Sequence, residues 1–394
     1  MSIVLKTPSN GSVTLAEQDT ASNVTVTIPA TTGNAVISTP DLAYSPYVGF
    51  RNRIINGAMT IDQRNAGASS TPTASAYYSC DRWQSVITQT SKFSIQQNAG
   101  AITPPVGFTN YLGVTSLSAY SVLTGDTFIV NQLIEGFNVS DLGLGTANAA
   151  TVTLSFWARS SLTGSFGGSL VNGAANRSYL FSYTVSAANT WEYKTITVSG
   201  DTSGTWLTTN GIGMYVRFGL GSGATFSGTA GAWGAGNLVQ PTGTVSVVGT
   251  SGATFYITGV QLEKGSVATP FEFRSIGQEL ALCQRYYYRL NGNASAPRAG
   301  AGFNATTTLA DYVFSFPVQM RIDITALEQS GTASDYNITH GGTNTNCSSV
   351  PTYLSGSKDT IGFRFTVASG LTAGQGSLAR LLNANAFLGL SAEL

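Results

Sequence analysis

Charge is scarce in this chain. Of 394 residues, 19 are Lys or Arg and 19 are Asp or Glu, 10% in all with no net charge, against the ~25% usual in soluble domains. With no positive excess there is no field to gather phosphate, which excludes a basic nucleic-acid binder. Histidine occurs once, at His340. No His pair exists for zinc, and a Ser-His-Asp triad would have to use a residue flanked by Gly341 and Gly342 rather than by a G-x-S-x-G stretch. An exposed loop histidine is expected there. The three cysteines, Cys80, Cys283 and Cys347, are odd in number and far apart, as expected of reduced thiols in a protein made in a cytoplasm. Apolar runs are short: none approaches the ~20 residues of a membrane helix. The opening Met1-Ser-Ile-Val-Leu-Lys has three apolar residues in a row, where a secretory leader needs roughly 7–15. Neither membrane insertion nor a leader is expected. Gly-x-Gly pieces at Gly143/Gly145, Gly211/Gly213 and Gly219/Gly221/Gly223 open no helix after a strand, and no G-x-x-x-x-G-K-[ST] occurs, so nucleotide binding is not indicated.

What the chain has in quantity is 45 glycines, 44 serines and 50 threonines, with 42% apolar and 10% aromatic residues. Gly, Ser and Thr are poor helix formers, while Thr and the aromatics suit strands. The apolar share is large enough to bury a core, so neither a helical nor a disordered chain is expected.

The periodicity predicts an all-β protein in four parts. Residues 1–45 form a short N-terminal β segment in which Val24, Val26 and Ile28 alternate with threonines; a strand unit this small needs support from another surface. Pro40 and Pro46 bracket its exit. Residues 50–272 read as a jelly-roll β-sandwich. There Val152, Leu154, Phe156 and Ala158 share one strand face, and Thr153, Ser155, Trp157 and Arg159 the other. Ile212, Met214, Val216, Phe218 and Leu220 likewise form a core set, with Tyr215 and Arg217 pointing away. Between Phe255/Ile257 and Val260/Leu262 the parity changes at Gly259, and a bulge at Thr258–Gly259 would return all four to the core. Residues 275–290 form a linker helix, with Ser275 and Gln278 as a capping box and Ile276, Leu280, Cys283 and Tyr287 at helical spacing. Residues 291–394 form a C-terminal β-sandwich with strands at Tyr312–Val318, Arg321–Ala326, Phe363–Val367 and Ala386–Leu390.

Candidate binding residues are aromatic. Tyr and Trp offer flat apolar faces that stack on the C–H faces of sugars, together with a polar atom for hydrogen bonding. Trp157, Tyr193 and Tyr215 lie opposite the core sets of their strands. Trp233 and Phe226 fall in a glycine-rich stretch. Arg217, beside Tyr215, offers five donors to sugar hydroxyls or to an acidic sugar. From Phe218 through Leu262 there is no charged residue, which suits either a plain loop or an uncharged contact surface for a sister chain or a neutral sugar. Loops near Tyr336 and His340 are a competing location. No catalytic residue stands out: the acids are scattered, and Asp81 beside Arg82 reads as an ion-paired structural residue. No cofactor is implied. Structural calcium could be held by the same carboxylates, but no EF-hand loop occurs, and the metal content is left open.

Several stretches resemble a known group. FRNRIINGAMTIDQRN from Phe50 to Asn65, followed by SCDRW from Ser79 to Trp83, resembles the opening of phage tail-fibre and related virion jelly-roll domains. Those domains are similar to carbohydrate-binding modules of the galactose-binding-like class. TLSFWAR (Thr153 to Arg159) resembles their central strand and TGVQLEKGSVATPFE (Thr258 to Glu272) their closing strand. ELALCQRYY (Glu279 to Tyr287) resembles the linker helix, FPVQMR (Phe316 to Arg321) the C-terminal domain, and AEL (Ala392 to Leu394) its end. GSVTL from Gly11 with TTG from Thr31 resembles fibre attachment segments. The resemblance implies a non-enzymatic virion structural protein, a homotrimer bound to other tail or head proteins of the particle. Its expected role is a tail fibre or adhesin contacting host-surface glycans. A capsid-decorating head fibre is the alternative, and a polysaccharide depolymerase the third. Synthesis in the host cytoplasm is implied; no family catalytic motif carries over.

Overall fold

Alternating strand faces become two antiparallel sheets packed against each other, as sheets with one apolar face require. The computed structural model describes residues 3–6, 12–15 and 50–394. The chain forms two compact units, Met1–Pro46 and Tyr47–Leu394. In the first, Ile3–Lys6 and Ser12–Leu15 pair antiparallel, Ile3 opposite Leu15. The strand expected around Val24 to Ile28 lies outside the described residues.

The second unit opens with the jelly roll. Its front sheet has seven strands in the spatial order Trp233–Ala235, Arg177–Val185, Gly164–Asn172, Ile212–Ser222, Thr127–Glu135, Trp83–Ile87 and Tyr77–Tyr78. Its back sheet has five: Glu192–Val198, Val152–Ser160, Thr254–Lys264, Leu112–Ser116 and Phe93–Gln97. Their facing sides enclose one core. Phe156 meets Phe218 edge-on with centroids 5.0 Å apart, and Phe166 stacks on Phe255 at 5.9 Å. Each such buried side chain contributes about 1.5–3 kcal/mol. Val152, Leu154, Phe156 and Ala158 all belong to this core.

Two of the sandwich's three register shifts bear on expected core residues. Between Thr258 and Gln261 the Thr254–Lys264 strand carries one residue more than its partner. Gly259 sits there at φ +59°, and Phe255, Ile257, Val260 and Leu262 are all buried in the core, as the parity argument requires. The second bulge overturns an expectation. The register shifts between Ile212 and Met214, so Met214, Val216, Phe218 and Leu220 face the core while Ile212 turns to the outer side of the sheet.

The helix is shorter than expected, Ile276–Gln284, with Ser275 Oγ accepting from the Gln278 N–H. It stops there because the β-prone Tyr-Tyr-Arg-Leu run is taken up as the strand Tyr287–Asn291, which pairs with Phe387–Ser391. Those two strands and Glu328–Gln329 make a small sheet. The larger C-terminal sheet runs in the order Thr343–Asn346, Tyr336–His340, Gly376–Leu381, Arg298–Asn304, Leu309–Ser315, Thr360–Thr366 and Thr352–Gly356. A second core that includes Tyr312, Tyr336, Phe363 and Phe365 belongs to this part. Residues 321–326 form no strand; Arg321 instead donates to the carbonyls of Ala392, Asn210 and Glu393 at 2.7, 2.8 and 2.5 Å. His340 is likewise not exposed. It ends a strand, is 8% accessible, and its Nε2 lies 2.9 Å from Thr345 Oγ1. All three cysteines are free and buried.

The motifs that carry the family resemblance converge where the helix meets both sandwiches. Asp81 accepts from the backbone N–H and side-chain amide of Gln63, which in turn donates to Tyr287 O. Burial raises the Asp81 carboxyl despite those bonds. Arg82 pairs not with Asp81 but with Glu393, which also takes a bond from Arg64. The Arg82 guanidinium lies 3.6 Å from the Tyr286 ring centroid and donates to Leu133 O at 2.6 Å. Arg285 forks onto Glu135 at 3.0 and 2.7 Å, and Tyr286 adds its hydroxyl at 2.6 Å. Further along, Glu272 accepts from the backbone N–H groups of Phe50, Arg51 and Asn52. These residues build the frame and leave the outer face of the front sheet free for other work.

Candidate functional site: a groove on the front sheet

The outer face of the front sheet is half covered. The charge-free segment folds over it through a short parallel pair, Ser227–Gly228 with Gln240–Pro241. Glycines let it lie down: a Cβ on Gly219 would stand 1.9 Å from Gln240 Oε1, and one on Gly167 2.4 Å from Pro241 Cδ. Beside this cover the sheet is open as a groove of about 480 Å³. Phe226, Asn237 and Val239 form its wall on the segment's side.

Strand register places the floor in rows. Gln84 is opposite Asn131, Asn131 opposite Arg217, and Arg217 opposite Ser169. This polar row is flanked by apolar ones, Val86 opposite Ile129 on one side and Leu133 opposite Tyr215 on the other. Asn131 Oδ1 and Arg217 Nε, both from residues lining the groove, are buried without a hydrogen-bond partner among the described residues; Ser169 Oγ, likewise unpartnered, continues the row beyond the lining. A buried polar group left unpaired costs roughly 1–3 kcal/mol, so the row is a place where a ligand's hydroxyls would be rewarded.

Among the described residues, Arg217 is the one charged side chain in the lining. It is 6% accessible, its Nη1 donates to Asn237 Oδ1 at 2.6 Å, and its guanidinium carbon stands 4.6 Å from the Tyr215 ring centroid. Burial pushes its pKa down to about 10, so it stays charged at neutral pH. Burial also raises the Tyr215 phenol, against the pull of the Arg217 charge.

The five residues singled out in the sequence fall in three places. Tyr215 and Arg217 meet in the groove. Trp157 and Tyr193 are direct cross-strand partners on the outer side of the back sheet, ring centroids 5.4 Å apart, with Tyr193 44% accessible. Trp233 stands at the sandwich edge against Trp206 at 5.3 Å and Tyr179 at 5.5 Å, and its indole N–H donates to Ser199 O at 2.7 Å. Gln84 and Asn131 were missed. Both neighbours of Asn131 in Thr127–Glu135 are apolar or polar without alternation, and that strand is buried along its whole length, so parity gave no sign of an open face. A smaller pocket of about 230 Å³ lies between Phe108, Phe271, Phe273 and Arg274. Among the described residues no group of three or more His, Cys, Asp or Glu is placed to hold a metal ion, and no helix is long and apolar enough to cross a membrane.

No family model matches this chain, and no curated protein does. Among solved structures it is similar to the enzymatically active domain of bacteriophage CBA120 tailspike protein 4, at 11% identity and TM-score 0.30, over 54% of this chain and 21% of that one. It is similar to the family 11 carbohydrate-binding module from Clostridium thermocellum in complex with a β-1,3-1,4-mixed-linked tetrasaccharide, at 10% identity and TM-score 0.27, over 51% and 98%. A putative sugar binding protein from Bacteroides thetaiotaomicron aligns at 12% identity and TM-score 0.33, over 54% and 100%.

Proposed function

We propose that this chain is a non-enzymatic virion structural protein, a phage tail fibre or adhesin, whose jelly roll holds a host-surface glycan in the front groove. The observation that carries the reading is the pair of unpartnered polar atoms, Asn131 Oδ1 and Arg217 Nε, under the groove beside the Tyr215 ring. Hydroxyl partners and an aromatic face are the two things a saccharide site supplies. The motif resemblance supports the virion role and a homotrimeric state. Three weak sites on one trimer give avidity well beyond a single site, so modest affinity per chain suffices. Binding is favoured over cleavage because among the described residues no Asp or Glu side chain lines the groove, whereas glycoside hydrolysis takes two carboxyls flanking the bond.

The experiment is antibody labelling of particles with electron microscopy, joined to incubation of the purified chain with host-surface polysaccharide. Label at the tail tip, saccharide retention and no new reducing ends are expected. Label on the head would make the chain a head fibre, and released reducing ends would make it a depolymerase.

A further inference from the structure

We propose that the front groove is selective for an acidic saccharide, one bearing a carboxylate such as a uronic or sialic acid unit, and that Arg217 holds the acid group. This rests on the glycan-binding reading and narrows it to one chemical class.

The inference comes from how this protein treats its other buried arginines. Arg82 and Arg64 share Glu393. Arg53 is paired with Asp141, Arg274 with Glu272 and Glu279, and Arg285 with Glu135. Arg321 has no carboxylate but bonds three backbone carbonyls. Arg217 is as buried as Arg53 and Arg321, yet among the described residues its single acceptor is the neutral amide of Asn237, with neither the carboxylate that Arg53 has nor the three carbonyls that Arg321 has. A buried charge is costly unless paired and hydrogen-bonded. The Tyr215 ring returns part of that cost through its π-face. The rest is recovered when an anion enters, and the guanidinium fork matches a planar carboxylate.

The surroundings fit the rest of such a sugar. Asn131 Oδ1, next along the row, is buried without a partner and gains one if its amide turns toward a ring hydroxyl, and Val86 and Ile129 offer an apolar strip beside it. Among the described residues no Asp or Glu side chain lines the groove to repel the acid. A role confined to tethering the covering segment through Asn237 needs only a neutral donor, which Gln would supply without the expense of burying a charge.

The test pairs acidic probes with neutral counterparts, using the full chain and isothermal titration. Oligogalacturonate is compared with its methyl ester, and 3′-sialyllactose with lactose, alongside an array of neutral and acidic glycans. At least one acidic probe is expected to bind tenfold or more tightly than its neutral partner, with the gap narrowing as salt is raised. Arg217→Gln is expected to erase the preference, weakening acidic probes more than their neutral partners, and Arg217→Lys to keep part of it. If neutral saccharides bind and acidic ones bind no better, the acid proposal is overturned while the glycan reading stands. If no saccharide on the array binds, both fall. The wild-type comparison decides the matter even if Arg217→Gln folds poorly. A variant that melts earlier but keeps the acidic preference assigns Arg217 to structure and overturns the proposal.

Discussion

Replacing Glu393 by Gln tests the junction that joins the two sandwiches of the larger unit. The Glu393 side chain is 6% exposed, Arg82 is 1% exposed and Arg64 13%. Breaking a buried pair by removing one partner costs about 3–5 kcal/mol, because the other charge is left behind. Arg82 keeps its bond to Leu133 O and its contact with Tyr286, and the Gln carbonyl still accepts one N–H, so the lower end, about 3 kcal/mol, is expected. In urea, with a slope of about 3 kcal/mol/M for a unit of this size, that moves the midpoint down by roughly 1 M. Tryptophan fluorescence is a suitable probe because Trp83, fully buried, follows Arg82 directly. Arg82→Met alone leaves Glu393 still paired with Arg64, and the double variant is expected to be less destabilised than the sum of the singles by about 1–3 kcal/mol. A Glu393→Gln loss below about 0.5 kcal/mol, the size of an exposed pair, or strict additivity in the double, would refute the reasoning.

Other outcomes follow from single features. Gly259→Ala places a Cβ 2.6 Å from the Phe108 ring at a φ of +59°, and a loss of about 2 kcal/mol is expected by thermal unfolding; an unchanged melting point would mean the bulge tolerates any residue. Burial alone would raise Glu272, but the N–H groups of Asn52, Phe50 and Arg51 and the charge of Arg274 hold it below the ordinary 4.5. Its stabilising effect is therefore complete above that pH and lost as pH falls below it, so Glu272→Gln is expected to flatten the acid limb of a stability-against-pH curve. Tyr215→Ala is expected to weaken saccharide binding by about tenfold in titration, the value of one good stack. Loss in Trp157→Ala instead would move the site to the back sheet. Sedimentation is expected to give the mass of three chains, and a single 41.0 kDa species at micromolar concentration would contradict the trimer.

How much of this the sequence showed depends on where each strand's second face goes. Val152–Ser160 has one face in the core and one nearer water, so its alternation could be read directly, and the parity change at Gly259 announced its bulge. Regular alternation puts Ile212 in the core set, and the structure turns it outward, because the extra residue at Gly213 sits at a strand start where glycine is also an ordinary turn signal. Tyr215 and Arg217 were found by parity. Gln84 and Asn131 were not, because the groove exists only once three strands lie side by side. The helix was overextended because Tyr287 keeps helical spacing from Cys283 and Leu280, and its capture by Phe387–Ser391 comes from 100 residues further on. The framing role of Asp81, Arg82 and Glu393 was hidden for the same reason: side chains that meet in space are remote in sequence.

That remoteness has a consequence for how the molecule comes into being. Glu393 reaches Arg82 across 311 residues, and Glu272 reaches Asn52 across 220. During synthesis the jelly roll's first segment waits for Glu272 to emerge, and the Arg82 charge waits for Glu393. Closing such long loops before any contact rewards them makes for slow folding. It also means that a truncated product keeps two arginines without their counter-charge at the helix junction. The late-arriving Glu393 thus acts as a clasp: the jelly roll's opening segment keeps an uncompensated charge until the C-terminal strands have docked against it.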